Sequence, residues 1–188
     1  CNSCNDIPGY NEHSIDDVIL PTNLKIFCLG YYYNYTLDNI RFPDSIEEIH
    51  ISNHFNQPID NLPNSLTHLT LGYHFNQPID NLPSTMTHLI FSVGSEFNQP
   101  INNLPSFITH LTFGYSYDYL EEYGNVLSDF NQSVNNLPNS ITHLTFGSNF
   151  NQPVNNLPNS ITHLTLIFCC ITDKSLTGSP YLKNILVL

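Results

Sequence analysis

Phe55-Asn56-Gln57-Pro58-Ile59-Asp60-Asn61-Leu62-Pro63-Asn64-Ser65-Leu66-Thr67-His68-Leu69-Thr70-Leu71 is a phrase the chain repeats. Its first nine residues return unchanged from Phe75 to Pro83, and its first five return at Phe97. Phe130 opens a copy reading Phe-Asn-Gln-Ser-Val, and Phe150 one reading Phe-Asn-Gln-Pro-Val. The second half, Leu-Pro-x-Ser-(Leu/Ile)-Thr-His-Leu-Thr-(Leu/Phe), follows intact from Leu62, Leu137 and Leu157 and with small departures from Leu82 and Leu104. Self-similarity at a period of this size is the signature of a solenoid, in which each unit is one coil.

Aligning on the proline that opens the second half selects Pro21, Pro43, Pro63, Pro83, Pro105, Pro138, Pro158 and Pro180, in steps of 22, 20, 20, 22, 33, 20 and 22 residues. Eight coils are therefore expected in one domain over residues 1–188. Residues 1–42 supply atypical N-terminal coils, 43–166 the regular ones and 167–188 an atypical C-terminal coil, as end units of a solenoid tend to be. The single long step holds an insertion at about residues 116–128.

Within the unit at Pro63, apolar residues fall at Leu66, Leu69, Leu71, Phe75, Ile79 and Leu82. Leu69-Thr70-Leu71 alternates around a β-branched residue and predicts a short strand, bracketed by turn chemistry at Pro63-Asn64 and Gly72. The spacing from Phe75 to Leu82 suits a helix, but Pro78 in its middle would cost about 3 kcal/mol there. Extended or 3₁₀ segments are expected instead, with little α-helix. Successive strands then run parallel, about 4.8 Å apart, and each apolar position becomes a column. Burying six such side chains yields roughly 9–18 kcal/mol, against roughly 20–40 kcal/mol to order the backbone of about 20 residues. One coil cannot stand alone. The Asn columns, Asn56 onward and Asn61 onward, are expected to satisfy backbone groups at coil corners, because an amide both donates and accepts.

Composition removes several function classes. Four Lys and Arg against sixteen Asp and Glu give a formal charge of −12 in 188 residues, the wrong sign for nucleic acid or an anionic membrane surface. No apolar run approaches the roughly 18 residues of a spanning helix. Five cysteines, Cys1, Cys4, Cys28, Cys169 and Cys170, form no secreted-type framework. Free thiols in a reducing compartment are the simpler reading, so the expected location is intracellular and cytoplasmic. Acidity points to a protein partner of basic character.

The strand phrase Leu66-Thr-His-Leu69-Thr-Leu71 resembles a leucine-rich repeat, and the full unit with Phe-Asn-Gln-Pro-Ile and Leu-Pro-x-Ser resembles the FNIP repeat, a short leucine-rich-like family of social amoebae and giant DNA viruses. The match is close over residues 43–166 and looser over 9–42. The last unit, with Cys170-Ile-Thr-Asp173, Ser175-Leu176 and Leu182-Lys-Asn-Ile185-Leu-Val187, is similar to the cysteine-containing leucine-rich type of F-box proteins. The resemblance implies a solenoid with a parallel sheet on its concave face. It also implies protein binding, since FNIP arrays often sit beside F-box segments that dock ubiquitin ligases. The substrate-binding part of such an adaptor is the implied role; no F-box is visible between residues 1 and 188.

Three features carry the functional expectations. His68, His88, His110, His143 and His163 occupy one column on the solvent side of the expected sheet, beside Thr70, Thr112, Thr145 and Thr165. A stacked ladder or binding face is the expected role. Metal capture is a third reading, with Glu48 one coil earlier as the place for a mixed site. The threonine column becomes Ile90, His50 and Cys28 in three units, and such departures are where specificity would be written. The insertion brings Tyr117, Tyr119, Glu121, Glu122 and Tyr123 together, and tyrosine suits binding hot spots. No catalytic constellation and no cofactor motif emerges. The chain is expected to be a non-catalytic protein-interaction module. The runner-up is a structural protein that self-associates through the terminal sheet edge at Leu182–Leu188.

Overall fold

The computed structural model describes residues 15, 18–114 and 128–166. Within them, seven short strands form one parallel sheet in strict chain order: β1 (Ile26–Cys28), β2 (Glu48–His50), β3 (His68–Leu71), β4 (His88–Phe91), β5 (His110–Phe113), β6 (His143–Phe146) and β7 (His163–Leu166). Each strand follows one of the first seven aligned prolines. The register repeats the sequence alignment, His68 opposite His88, then His110, His143 and His163. The protein is a β-solenoid with no helix among the described residues. The unit at Pro180, the atypical coil 167–188 and the expected edge strand Leu182–Leu188 lie outside them.

The coil is shaped by turns that the sequence dictates. Ahead of each strand the proline carbonyl accepts an N–H three residues on, as in Leu66 N to Pro63 O at 3.1 Å and Ile141 N to Pro138 O at 3.2 Å. After the strand a second turn closes from Phe75 N to Gly72 O at 3.4 Å and from Phe150 N to Gly147 O at 3.3 Å. Gly72 is required there, because a Cβ would fall 2.0 Å from the carbonyl oxygen of Ser52 in the preceding coil. The return arm is made of isolated turns and extended residues. A continuous 3₁₀ ladder does not form because its amides are engaged elsewhere: Asn76 N donates to Asn56 Oδ1 of the preceding coil at 2.9 Å.

That bond belongs to a ladder running the length of the described solenoid. Asn34, Asn56, Asn76, Asn98 and Asn131 each accept, on Oδ1, the backbone N–H of the next asparagine and the Nε2 amide of the following Gln. The expected backbone-satisfying role of this column holds. The second asparagine column behaves differently. Asn61, Asn81 and Asn103 donate Nδ2 to the carboxylates of Asp38, Asp60 and Asp80 at 2.7–3.0 Å. Asn136 and Asn156 donate to Asn102 and Asn135. This is a side-chain ladder, set up because the residue at the preceding corner carries an oxygen one coil away.

Inside, the six apolar columns are buried, and the phenylalanine column is a ring stack. Tyr33, Phe55, Phe75, Phe97, Phe130 and Phe150 follow one another at centroid distances of 6.1–6.4 Å with interplanar angles of 1–15°. The insertion leaves this stack unbroken: Phe97 to Phe130 is 6.1 Å. On the far side of the insertion, Ser128 is buried against Gly114 and Gly147.

Candidate functional site: the solvent face of the sheet

Alternation along each strand puts Leu and Phe inside and the His and Thr columns outside. The five imidazoles expected to share a face do so, and they touch. His68, His88, His110, His143 and His163 stack at centroid distances of 4.1–4.2 Å with interplanar angles of 7–14°. Strand spacing alone would leave the rings freer than this. A threonine the sequence reading passed over fixes them. Thr67, Thr87, Thr109, Thr142 and Thr162 each place Oγ1 2.8–2.9 Å from Nδ1 of the following histidine. The same hydroxyl lies 3.0–3.2 Å from a carbonyl of the preceding coil. The signal was present in the repeat, since Thr-His recurs as a pair.

This packing sets the charge of the face. Burial, reinforced by the neighbouring His68, His110 and His143, pushes His88 down to about 4. His110 and His143 are lowered as well, again chiefly by burial. The middle of the column is therefore neutral at physiological pH and presents imidazole edges and threonine hydroxyls. Parallel rings send their nitrogen lone pairs along parallel lines, whereas a tetrahedral metal needs ligands that converge. Nδ1 is already engaged in every ring. Among the described residues no group of three His, Cys, Asp or Glu is arranged to hold a metal ion. Glu48 heads the column in register with His68, yet its carboxylate pairs with Nε2 of His50 at 2.9 Å.

The threonine column runs His50, Thr70, Ile90, Thr112, Thr145 across the same face. Ile90 breaks it, with 38% of its surface exposed at the middle of the sheet. Cys28 continues the column at β1, opposite His50. Tyr117, Tyr119, Glu121, Glu122 and Tyr123 lie outside the described residues. Gly114 and Ser128, which flank them in sequence, sit at the C-terminal end of the sheet.

A one-directional parallel stack with Leu-x-Leu strands and a polar outer face defines a leucine-rich-repeat-like β-solenoid. The FNIP Repeat profile matches residues 10–54, 55–94, 95–127 and 130–169, and the chain belongs to that family. No curated protein matches the sequence. A solved structure described as CroV588, a novel circular LRR protein, is 41% identical over 79% of this chain, with a TM-score of 0.65. CroV is a giant virus. The match occupies 21% of that protein, so this chain spans about a fifth of its length. Among the described residues no helix is long and apolar enough to cross a membrane.

Proposed function

We propose that the chain is a non-catalytic protein-interaction module that binds its partner on the solvent face of the sheet. The observation that carries this reading is Ile90. A half-exposed isoleucine stands in a column otherwise held by hydroxyls, an imidazole and the Cys28 thiol, beside the neutral middle of the histidine stack. The fixed stack is pre-ordered, so little side-chain entropy is lost when a partner covers it. Membership in the FNIP family supports a finer form of the proposal, in which the solenoid is the substrate-binding part of an F-box-type ubiquitin-ligase adaptor.

The test is crosslinking with mass spectrometry on the tagged chain in cells, comparing wild type with Ile90→Ala/His110→Ala. The double variant is expected to lose at least about ten-fold of the crosslinked partner, the scale of a two-residue hot spot. Unchanged recovery overturns the assignment of the face. Light scattering over a wide concentration range separates this reading from self-assembly, which requires a mass that grows with concentration.

A further inference from the structure

The C-terminal ends of the strands form a second surface. In the two positions before each stacked ring, the chain carries Tyr31-Tyr32, Asn53-His54, Tyr73-His74, Ser95-Glu96, Ser128-Asp129 and Ser148-Asn149. The backbone here is as regular as anywhere in the solenoid. His54 N donates to Tyr31 O at 3.2 Å, His74 N to Asn53 O at 2.9 Å, Glu96 N to Tyr73 O at 2.8 Å and Asp129 N to Ser95 O at 2.9 Å. Main-chain carbonyls accept these N–H groups, so the backbone ladder of this rim does not dictate which side chains stand on it.

Those side chains form one connected run across four coils. Tyr31 meets Tyr32 edge-on at 4.8 Å, and both meet His54 at 5.0–5.1 Å. His54 lies 5.1 Å from His74, which Tyr73 contacts edge-on at 4.7 Å. The run ends where His74 Nδ1 and Glu96 Oε2 are 3.0 Å apart. Tyr31 and Tyr32 are exposed by 38% and 53%, and the Glu96 side chain by 41%. Asp129 carries a carboxylate one coil further on. Among the described residues the only lysine is Lys25, whose Nζ is paired with Glu47 at the other end of the strands, and the only arginine is Arg41.

We propose that this rim, Tyr31, Tyr32, His54, Tyr73, His74 and Glu96, receives an arginine-bearing extended segment of a partner protein. The inference rests on the protein-binding reading and adds a second contact surface to it, with its chemistry. A guanidinium stacks on an aromatic face and pairs a carboxylate with two parallel N–H donors, which an ammonium cannot do. Rings followed by a half-exposed carboxylate supply both halves of that recognition. A second copy of this chain is a poor occupant, because one arginine in 188 residues offers little to a four-coil rim. The formal charge of −12 draws basic segments of any kind, so selectivity for arginine is what distinguishes this rim from general attraction.

The probes are labelled nona-arginine and nona-lysine peptides, titrated with the purified chain by fluorescence anisotropy at physiological salt. Wild type is expected to bind the arginine peptide about ten-fold more tightly than the lysine peptide of equal charge. Tyr31→Ala/Tyr32→Ala and, separately, Glu96→Gln are expected to reduce that preference about three- to five-fold each. Asp60→Asn/Asp80→Asn removes the same kind of charge from a different corner and should weaken both peptides alike, leaving the ratio intact. Equal affinity for the two peptides overturns the proposal, as does an unchanged ratio in both rim variants. Because Glu96→Gln keeps size and shape, it tests the rim even if the tyrosine variant folds poorly. Ile90→Ala/His110→Ala should bind the arginine peptide normally, so failure of the sheet-face reading and failure of this one are told apart.

Discussion

Two columns lie two residues apart on every coil and have opposite characters. Asn34, Asn56, Asn76, Asn98, Asn131 and Asn151 never vary, whereas Tyr32, His54, His74, Glu96, Asp129 and Asn149 change at almost every step. The physical difference is which group bonds the next coil's N–H. In the first column a side-chain oxygen accepts it, as Asn76 Oδ1 does for Asn98 at 3.0 Å. In the second a main-chain carbonyl accepts it, as Tyr73 O does for Glu96. A backbone bond can be made under any side chain, so chemistry drifts where the main chain carries the load and is fixed where the side chain does.

The contrast can be broken by mutation, most severely in the interior. Phe97 packs against Phe75, Phe91, Phe113 and Phe130 at centroid distances of 4.1–6.4 Å. Phe97→Ala should cost about 3–5 kcal/mol in urea unfolding, with His74→Ala on the rim changing stability by no more than about 0.5 kcal/mol. Comparable losses from the two would erase the distinction. Asn76→Ala comes next. It orphans the Asn98 N–H and the Gln99 amide and should cost about 1–3 kcal/mol by the same measurement.

Acid should act through the histidine stack. Stability rises with pH wherever the unfolded chain binds more protons than the folded one. His88 in the fold is held down to about 4, from an ordinary 6.5. Its unprotonated form therefore supports folding fully above about 6.5, and that support is lost progressively as the pH falls towards 4. His68, His110 and His143 face it, and protonation of any of them adds repulsion. Melting temperature should decline over this window and decline less in His88→Gln. A variant with the wild-type slope would show that the stack is not the acid-sensitive element.

The strands, their register and the lack of helix among the described residues were legible because Leu69-Thr70-Leu71 and its equivalents announce period two, and Pro58 and Pro78 refuse a helix. The first asparagine column was legible from what an amide can do. Its neighbour was not, because Asn61 gives no sign that Asp38 lies opposite until the coils are stacked. The histidine stack was expected as a column, but the tightness imposed by Thr67 and its equivalents depends on side-chain geometry that spacing does not encode. The rim is hidden in the sequence for another reason: its residues change from coil to coil, and a repeat shows itself by what stays the same. Its signal is the cluster of aromatic residues in the two positions before Tyr33, Phe55 and Phe75.

The unbroken ring stack at Phe130 bears on how such a chain changes over time. Thirty-three residues separate Phe97 from Phe130, and twenty separate Phe55 from Phe75. The rings nonetheless sit 6.1 and 6.4 Å apart, and Asn131 N meets Asn98 Oδ1 at 2.9 Å as if nothing intervened. The entropy of joining two fixed points grows only with the logarithm of the path, roughly 0.6 kcal/mol for each doubling. A lineage can therefore splice new sequence between Gly114 and Ser128 without renegotiating the scaffold. The solenoid behaves as a chassis with a ready graft point, where the chain can lengthen at little cost to its shape.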